Sequence, residues 1–398
     1  MKLALVADTF PPLRTSGAVQ LRDLSRAFVR HGHELTVLLP ASDLDRPWTM
    51  EQHEGAQVLR LRAPRTKDLG YNRRVIGEWL MPRAMLRNLR KSPLAERCWE
   101  GVVWYSPSIF HAPLVRTLKR ESDCKSYLII RDIFPEWAVD LDLMRPGLAY
   151  RFFKRIARQQ NDAADIIGVQ TAGNLSYFDD WRRAGSGRSL EVLQNWLDAP
   201  ATAHCRIRIQ DTAIAGRKIF VYAGNMGIAQ GMSILLDLAA RVQSRRNIGF
   251  LFVGRGSEAL HLRARAAALS MDNVVFCDEI DPDEIPDLYT QCHAGIVALD
   301  PRHKSHNIPG KFLTYMQNRL PVLANVNLGN DLGNLIRSER VGQVCDTNRL
   351  DELEERLEAL VRQIETDPDL FARCSRLFLR QFSADQAVRQ IAAALSGS

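Results

Sequence analysis

Apolar residues along this chain come in short runs rich in Val, Ile and Leu. Longer stretches separate the runs, and in these apolar positions recur every three or four residues. The first pattern predicts parallel strands buried on both faces, and the second predicts amphipathic helices. In the first half, strands are expected at Leu3–Ala7, Leu35–Leu39, Val58–Leu61, Val102–Tyr105, Tyr127–Ile130, Ile166–Val169 and Glu191–Leu193. Helices are expected at Ala18–Arg30, Ala112–Arg120 and Leu148–Gln160. The alternation then restarts. Strands are expected at Lys218–Ala223, Ile248–Val253, Val274–Phe276, Ala294–Ala298, Pro321–Ala324 and Gly342–Cys345. The helices that go with them are Ser233–Arg241, Glu258–Ala268, Pro282–Gln291, Gly310–Gln317 and Leu350–Glu365.

Repeated βα units imply doubly wound parallel sheets. Two such series, joined by the polar, proline-containing segment Asn195–Gly216, predict an α/β chain of two Rossmann-like domains, residues 1–198 and 199–381. One more amphipathic helix is expected over residues 382–398, mainly Phe382–Leu395, with Ser383 as its N-cap. Open parallel sheets bind ligands at the carboxyl ends of their strands, so a cleft between two facing sheets is the expected site.

A length of 398 residues suits two cores, and 46% hydrophobic with 25% charged residues is ordinary for a soluble protein. No run approaches the roughly 18–20 apolar residues of a membrane span. The chain opens directly on strand-like sequence, so no signal peptide is expected and a cytoplasmic location is. The seven cysteines form no CxxC pair and share no ligand spacing with the nine histidines, which fits a reducing compartment and predicts no metal site. The net charge of +7 lies entirely in residues 1–198, and residues 61–97 hold ten basic residues against three acidic ones. Such a patch attracts polyanions or an anionic membrane surface.

Five segments carry candidate chemistry. After the first strand, Ser16 and Gly17 open a helix whose free amides favour an anion, with Arg14 just before them. Gly224-Asn225-Met226-Gly227 makes a sharp turn between strand and helix, and Gly254-Arg255-Gly256 repeats the arrangement one βα unit later. Both turns present backbone amides suited to phosphate. Pro309-Gly310-Lys311-Phe312 opens a helix that continues through Thr314. A lysine in a first helical turn opposes the helix dipole, and makes sense beside an anion. Arg131, Asp132 and Glu136 follow a buried strand, where they either serve a site or pair with one another.

Together these segments resemble glycosyltransferase family 4, the retaining GT-B enzymes. They are most similar to the branch that builds bacterial O-antigen and capsule polysaccharides and includes the N-acetyl-L-fucosamine transferases. Arg131-Asp132-Ile133-Phe134-Pro135-Glu136 resembles that branch's RDLWPE motif, and Pro309-Gly310-Lys311 with Tyr315-Met316 and Pro321-Val322 resembles its PSK, EYM and PV elements. The resemblance implies a GT-B fold and transfer of a sugar from a nucleoside-diphosphate donor, with no cofactor and no essential metal. It also implies a donor site on the C-terminal domain and an acceptor site on the N-terminal one. The acceptor in that pathway is a polyprenyl-diphosphate-linked saccharide at the inner face of the cytoplasmic membrane. On this reading the donor meets Gly224–Gly227, Gly254–Gly256, Pro309–Phe312 and Thr314. The acceptor meets Arg14, Ser16, Gly17, Arg131 and Glu136. Lys311, Asp132 and His111 are the catalytic candidates.

The chain departs from the family at four places. Thr314 replaces a ribose-binding glutamate, and His306 stands near its upstream glutamate partner. Arg319 replaces a glycine, and Asn225 and Gln230 stand where relatives carry Arg and Lys. Phosphate binding led by backbone amides, Lys311 and Arg255 is therefore expected, with an altered grip on the ribose.

The basic half fits a lipid acceptor. Gly77–Leu94 mixes Trp79, Leu80, Met81, Met85, Leu86 and Leu89 with Arg83, Arg87, Arg90 and Lys91, and Tyr150–Arg158 has a similar mixture. Both are expected to lie at a membrane interface as peripheral helices. Three rival readings stand beside this one: a GT-B nucleotide-sugar 2-epimerase, a catalytically inactive nucleotide-binding protein, and a nucleic-acid-binding protein. No nucleic-acid motif accompanies the basic patch, so no nucleic acid partner is expected.

Overall fold

Two separate, mainly parallel sheets carry the alternating pattern. The computed structural model describes the whole chain except residues 14, 68, 141–142, 186, 200–202, 228–229, 300–307 and 398. One compact unit comprises Met1–Asp198 with Ala384–Ser398, and the other comprises Ala199–Ser383.

The first unit holds β1 (Lys2–Val6), β2 (Glu34–Ala41), β3 (Trp48–His53), β4 (Ala56–Arg62), β5 (Gly101–Tyr105), β6 (Lys125–Ile130), β7 (Ile166–Val169) and β8 (Ser189–Val192). Their order is β3-β4-β2-β1-β5-β6-β7-β8. Successive residues of β1 enter opposite cores: Leu3 and Leu5 join one cluster, Ala4 and Val6 the other. Burial on both faces explains why β1 reads as an unbroken apolar run. The strand β3 has no counterpart among the sequence expectations. It pairs antiparallel with β4 at the sheet edge through Glu54-Gly55, both at positive φ, as a tight hairpin requires. Its side chains are intermediate or exposed, so it carries no apolar run to read.

The final helix, Ala384–Ser396, buries Ala387, Val388, Ile391 and Leu395 in the core that also holds Leu3, Leu5 and Phe28 of the first 30 residues. The N-terminal unit is therefore closed by the end of the chain. Ile391→Ala should lower its stability by roughly 2–4 kcal/mol, read by denaturant unfolding, as for other buried Ile→Ala changes.

The second unit holds β9 (Lys218–Ala223), β10 (Ile248–Val253), β11 (Val274–Cys277), β12 (Ala294–Ala298), β13 (Val322–Asn325) and β14 (Gly342–Cys345), all parallel in the order β11-β10-β9-β12-β13-β14. In each sheet the winding reverses once, between β1 and β5 and between β9 and β12. Such reversals splay adjacent loops apart and open a crevice beyond the strand ends.

The expected interfacial helices are partly core elements. In the helix Tyr71–Leu89, Met81, Met85 and Leu89 are buried, and in Leu148–Asn161 so is Phe153. Trp79, Leu80 and Phe152 remain exposed, as do Tyr71, Ile76, Trp137, Leu143 and Leu148. Among the described residues no helix is long and apolar enough to cross a membrane.

Candidate functional site

In the C-terminal unit the reversal lies between β9 and β12. The turn after β9 is packed directly on the turn after β10. Gly254 sits at φ +140°, where a Cβ would come within 2.0 Å of the Gly224 carbonyl oxygen. At Gly256, φ +152°, a Cβ would lie 2.3 Å from the Met226 carbonyl oxygen. Both positions need glycine for backbone conformation and for close approach at once.

This packing uses amides that sequence reasoning assigned to phosphate. Gly224 N–H donates to Val253 O (2.9 Å), Met226 N–H to Arg255 O (2.7 Å), and Gly254 N–H to Cys277 O (3.2 Å). Gly227 N–H donates to the Gln230 side chain, whose Oε1 also accepts from Asn225 Nδ2. Among the described residues the amides of Asn225, Arg255 and Gly256 have no such partner. Met226 and Phe312 face away from solvent. Both are fully buried, and Phe312 packs edge-on against Phe382. Their apolar side chains belong to the core, so only their backbones are left for a ligand.

Lys311 stands in the first turn of the helix Gly310–Gln317, whose N-cap, Pro309, provides no side-chain cap. Its Nζ lies 3.3 Å from the centroid of the buried Tyr222 ring and beside Gly224. The Tyr222 hydroxyl donates to Asn225 O (2.6 Å) and thereby fixes the ring under the turn. No carboxylate pairs with Lys311 among the described residues, and burial pushes its ammonium pKa down to about 7. Thr314 donates its hydroxyl to Gly310 O (3.3 Å), one turn back in the same helix. Lys311, Thr314, Gly224 and Gly254 line a cavity of about 250 Å³ together with Glu279 and Ile280. Arg255 does not point freely: its Nε pairs with Glu279 at 3.0 Å, on the surface.

In the N-terminal unit the reversal lies between β1 and β5. Thr15 caps the helix Ser16–Arg30 by accepting from Ala18 N (3.3 Å), so Ser16 and Gly17 occupy its first turn. Arg14 and His306 lie outside the described residues. Arg131 pairs with neither Asp132 nor Glu136. Its guanidinium donates to Gln20, to the Tyr105 hydroxyl (3.3 Å) and to Asn195 (3.5 Å), and Gln170 donates to the same Asn195 oxygen. Glu136 pairs with Lys154. Asp132 has no ion pair among the described residues, and burial raises its carboxyl pKa while Arg131 partly offsets that.

His111 is wholly buried, and neither ring nitrogen has a hydrogen-bond partner among the described residues. Burial holds it neutral, against the pull of Asp8. An unpartnered buried polar atom signals a missing partner. Asp8 Oδ1, Thr171 Oγ1 and Gln194 Oε1 are in the same state, and all follow strand ends: β1, β7 and β8 respectively. Asp8 opens the candidate loop after the first strand and Tyr222 leads into the Gly224–Gly227 turn, but sequence gives neither a role of its own, and it does not mark Gln20 or Asn195. Asp8 carried the same signal as Arg131-Asp132, a charge directly after a buried strand. The others depend on partners distant in sequence.

Residues 217–363 match the family model described as glycosyl transferases group 1. The chain is 22% identical over 231 residues to WbjE of Pseudomonas aeruginosa, named a probable glycosyltransferase, covering 56% of each protein. It is 25% identical over 226 residues to WcaI of Escherichia coli (strain K12), whose name assigns it to glycosyl transfer in colanic acid biosynthesis. That match covers 50% of this chain and 52% of WcaI, so the chain spans about half the length of the curated relatives it matches. Among solved structures, sucrose-phosphate synthase from Thermosynechococcus elongatus superposes with a TM-score of 0.70 at 13% identity, covering 100% of this chain and 98% of that one. Anabaena HepE in complex with UDP gives 0.69 at 15% identity, with both chains wholly covered. WaaG, a glycosyltransferase involved in lipopolysaccharide biosynthesis, gives 0.58 at 13%, also over both whole chains. The shared fold is GT-B.

Proposed function

We propose that this chain is a retaining glycosyltransferase that moves a sugar from a nucleoside-diphosphate donor to a lipid-linked saccharide in bacterial surface polysaccharide assembly. The observation that carries this reading is Lys311: a lysine with no carboxylate partner among the described residues, held over Tyr222 beside two interlocked glycine turns, within the segment that matches glycosyl transferases group 1. HepE, of like fold, was solved with UDP, and WbjE and WcaI carry names from glycosyl transfer.

In the reaction the leaving diphosphate gains charge, so fixed donors act most strongly in the transition state. Lys311 and the amides of Asn225, Arg255 and Gly256 supply them. Arg255 must leave Glu279 to join. The cavity wall at Ile280 and Pro282 suits a nucleobase, and Thr314 meets the ribose with a single hydroxyl. The acceptor hydroxyl attacks from the face of the leaving phosphate, and that phosphate takes its proton. Asp132 and the neutral His111 position the acceptor, with Arg131 and the first turn at Ser16 and Gly17. Asp132→Asn should lower kcat at least tenfold while leaving the nucleotide Kd unchanged, since it belongs to the acceptor unit.

The test is an assay of the purified protein with a panel of nucleotide sugars and lipid-linked acceptors extracted from bacteria. Transfer supports the reading. Epimer formed without acceptor, or silence with every donor, overturns it; tight nucleic acid binding alongside silence supports a binding protein instead.

A peripheral membrane position is part of this proposal. Trp79, Leu80, Ile76, Leu148 and Phe152 are exposed among Arg83, Arg87, Arg151 and Arg155. Vesicles containing anionic lipid should bind the protein at low salt and release it at high salt or after Arg83→Gln with Arg87→Gln. Binding that persists through both changes would refute the electrostatic contribution.

A further inference from the structure

One cavity shares no lining residue with the cavity beside Lys311. It measures about 480 Å³ and lies within the N-terminal unit, between the helix Leu148–Asn161 and the segment 177–184, reaching Asp132 at the end of β6. Arg151, Arg155 and Arg158 all line it. They follow one another at i, i+4 and i+7, so they share one face of the helix. Among the described residues none of the three has an acidic partner. Apart from Asp132, the acidic residues of the lining are already matched: Glu136 pairs with Lys154, Asp162 with Arg188, and Asp180 with Arg183. Among the described lining residues Asp132 is the one carboxylate without an ion pair, so three guanidinium groups face one cavity with a single carboxyl group left to offset them.

A second observation points to a ligand. Gln160 lines the same cavity, is 1% exposed, and its Oε1 has no hydrogen-bond partner among the described residues. A buried amide oxygen without a donor is costly to the fold alone, and is satisfied if a hydroxyl or water enters. Tyr150, Tyr177 and Trp181 add aromatic walls, which suit the apolar faces of a sugar ring. On the same helix, Leu148 and Phe152 stand exposed beside this basic face.

We propose that this groove binds a diphosphate group through Arg151, Arg155 and Arg158, and that the group is the one linking saccharide to isoprenoid in the acceptor. Planar guanidinium groups grip phosphate oxygens in pairs, which lysines do not. The saccharide end then reaches Gln160 and Asp132, and the hydrocarbon runs out past Leu148 and Phe152. The acceptor identity rests on the transferase reading; the diphosphate site does not.

The test titrates inorganic pyrophosphate and geranyl diphosphate into the full chain carrying Lys311→Met, which silences the nucleotide site. Both ligands should bind, geranyl diphosphate more tightly. Arg151→Gln, Arg155→Gln and Arg158→Gln together should weaken both at least tenfold, while Arg376→Gln with Arg380→Gln, at surface arginines of the C-terminal unit, should change them less than twofold. If the triple variant does not fold, the three single changes at these exposed positions give the same reading. Equal binding by wild type and variants, or no binding of either ligand, overturns the site. Equal affinity for the two ligands overturns the isoprenoid part and leaves a free-phosphate site. In the otherwise native chain, the triple change should raise the KM for the lipid acceptor and leave the nucleotide Kd alone. Transfer with an unchanged acceptor KM sinks the groove while the transferase stands. Pyrophosphate binding without any transfer does the reverse.

Discussion

Lys311→Met is expected to lower sugar transfer by roughly 10²–10³-fold, the loss seen when one preorganised donor to a developing anion is removed. It should also abolish a pH dependence of nucleotide binding. In the free protein, burial holds the Lys311 pKa down to about 7, with no other cause acting. A bound diphosphate favours the ammonium form and raises that value toward its ordinary range. Below pH 7 the lysine is already charged, so affinity does not vary on its account. Above pH 7 binding must take up a proton, and affinity should fall by up to tenfold per pH unit until the bound-state pKa is passed. The nucleotide's own terminal phosphate ionises near pH 6, so it does not mask the effect. Calorimetry with UDP in buffers of different ionisation heat measures both the slope and the proton uptake. A flat profile in the wild type, or one unchanged by Lys311→Met, would show that the lysine does not meet the diphosphate.

The same substitution should stabilise the fold. The unfolded lysine keeps its proton to about pH 10.5, whereas the folded one releases it near 7. The folded state therefore loses stability from this group as pH falls from 10.5 to 7, and stays at that lower level below 7. Methionine removes the buried charge. A gain of roughly 1–3 kcal/mol at pH 6–7 is expected, which is several degrees in Tm for a unit of this size. Stability and activity moving in opposite directions is the mark of a strained functional group.

Gly254→Ala should strongly destabilise the C-terminal unit. It meets two obstacles at once: φ +140°, and the Gly224 carbonyl oxygen at 2.0 Å from the new Cβ. The obstacle is backbone, which has no side-chain rotamer to give way. A loss of at least about 4–5 kcal/mol is expected, with nucleotide binding lost as well, because the turns must separate. Gly224→Ala separates the two costs. It shares the backbone strain, φ +139°, but its Cβ would meet only the Lys311 ammonium at 3.6 Å, an ordinary contact. It should cost about 1–3 kcal/mol. Thermal unfolding of both variants checks the contrast, and similar melting points would refute the account of interlocked turns.

How much of this was legible in sequence depended on whether the signal was local. The strands β9, β10, β12 and β14 have the bounds expected from their apolar runs, because strands buried on both faces are dominated by apolar residues. The helix Gly310–Gln317 and the odd position of Lys311 in its first turn were likewise readable from neighbours in the chain. The edge strand β3 was not, since one exposed hairpin strand looks like a loop.

The candidate site was marked in sequence by its loops and not by its wiring. Sequence marked the glycine turns after β9 and β10, but only the fold showed that they spend the amides of Gly224 and Met226 on each other, leaving those of Asn225, Arg255 and Gly256. It marked Arg131, but only the fold bound it to Gln20, Tyr105 and Asn195, residues 111, 26 and 64 positions away. It marked a basic helix at 148–161, but only packing distinguished its core residue Phe153 from the three arginines left facing a cavity. By itself, then, the sequence determined most of the elements, the two-sheet α/β class and the glycine turns after the strands, because those follow from short-range periodicity and turn chemistry. Tertiary structure decided which polar groups in those loops remain free, because a hydrogen bond between distant residues leaves no trace in the local pattern of either one.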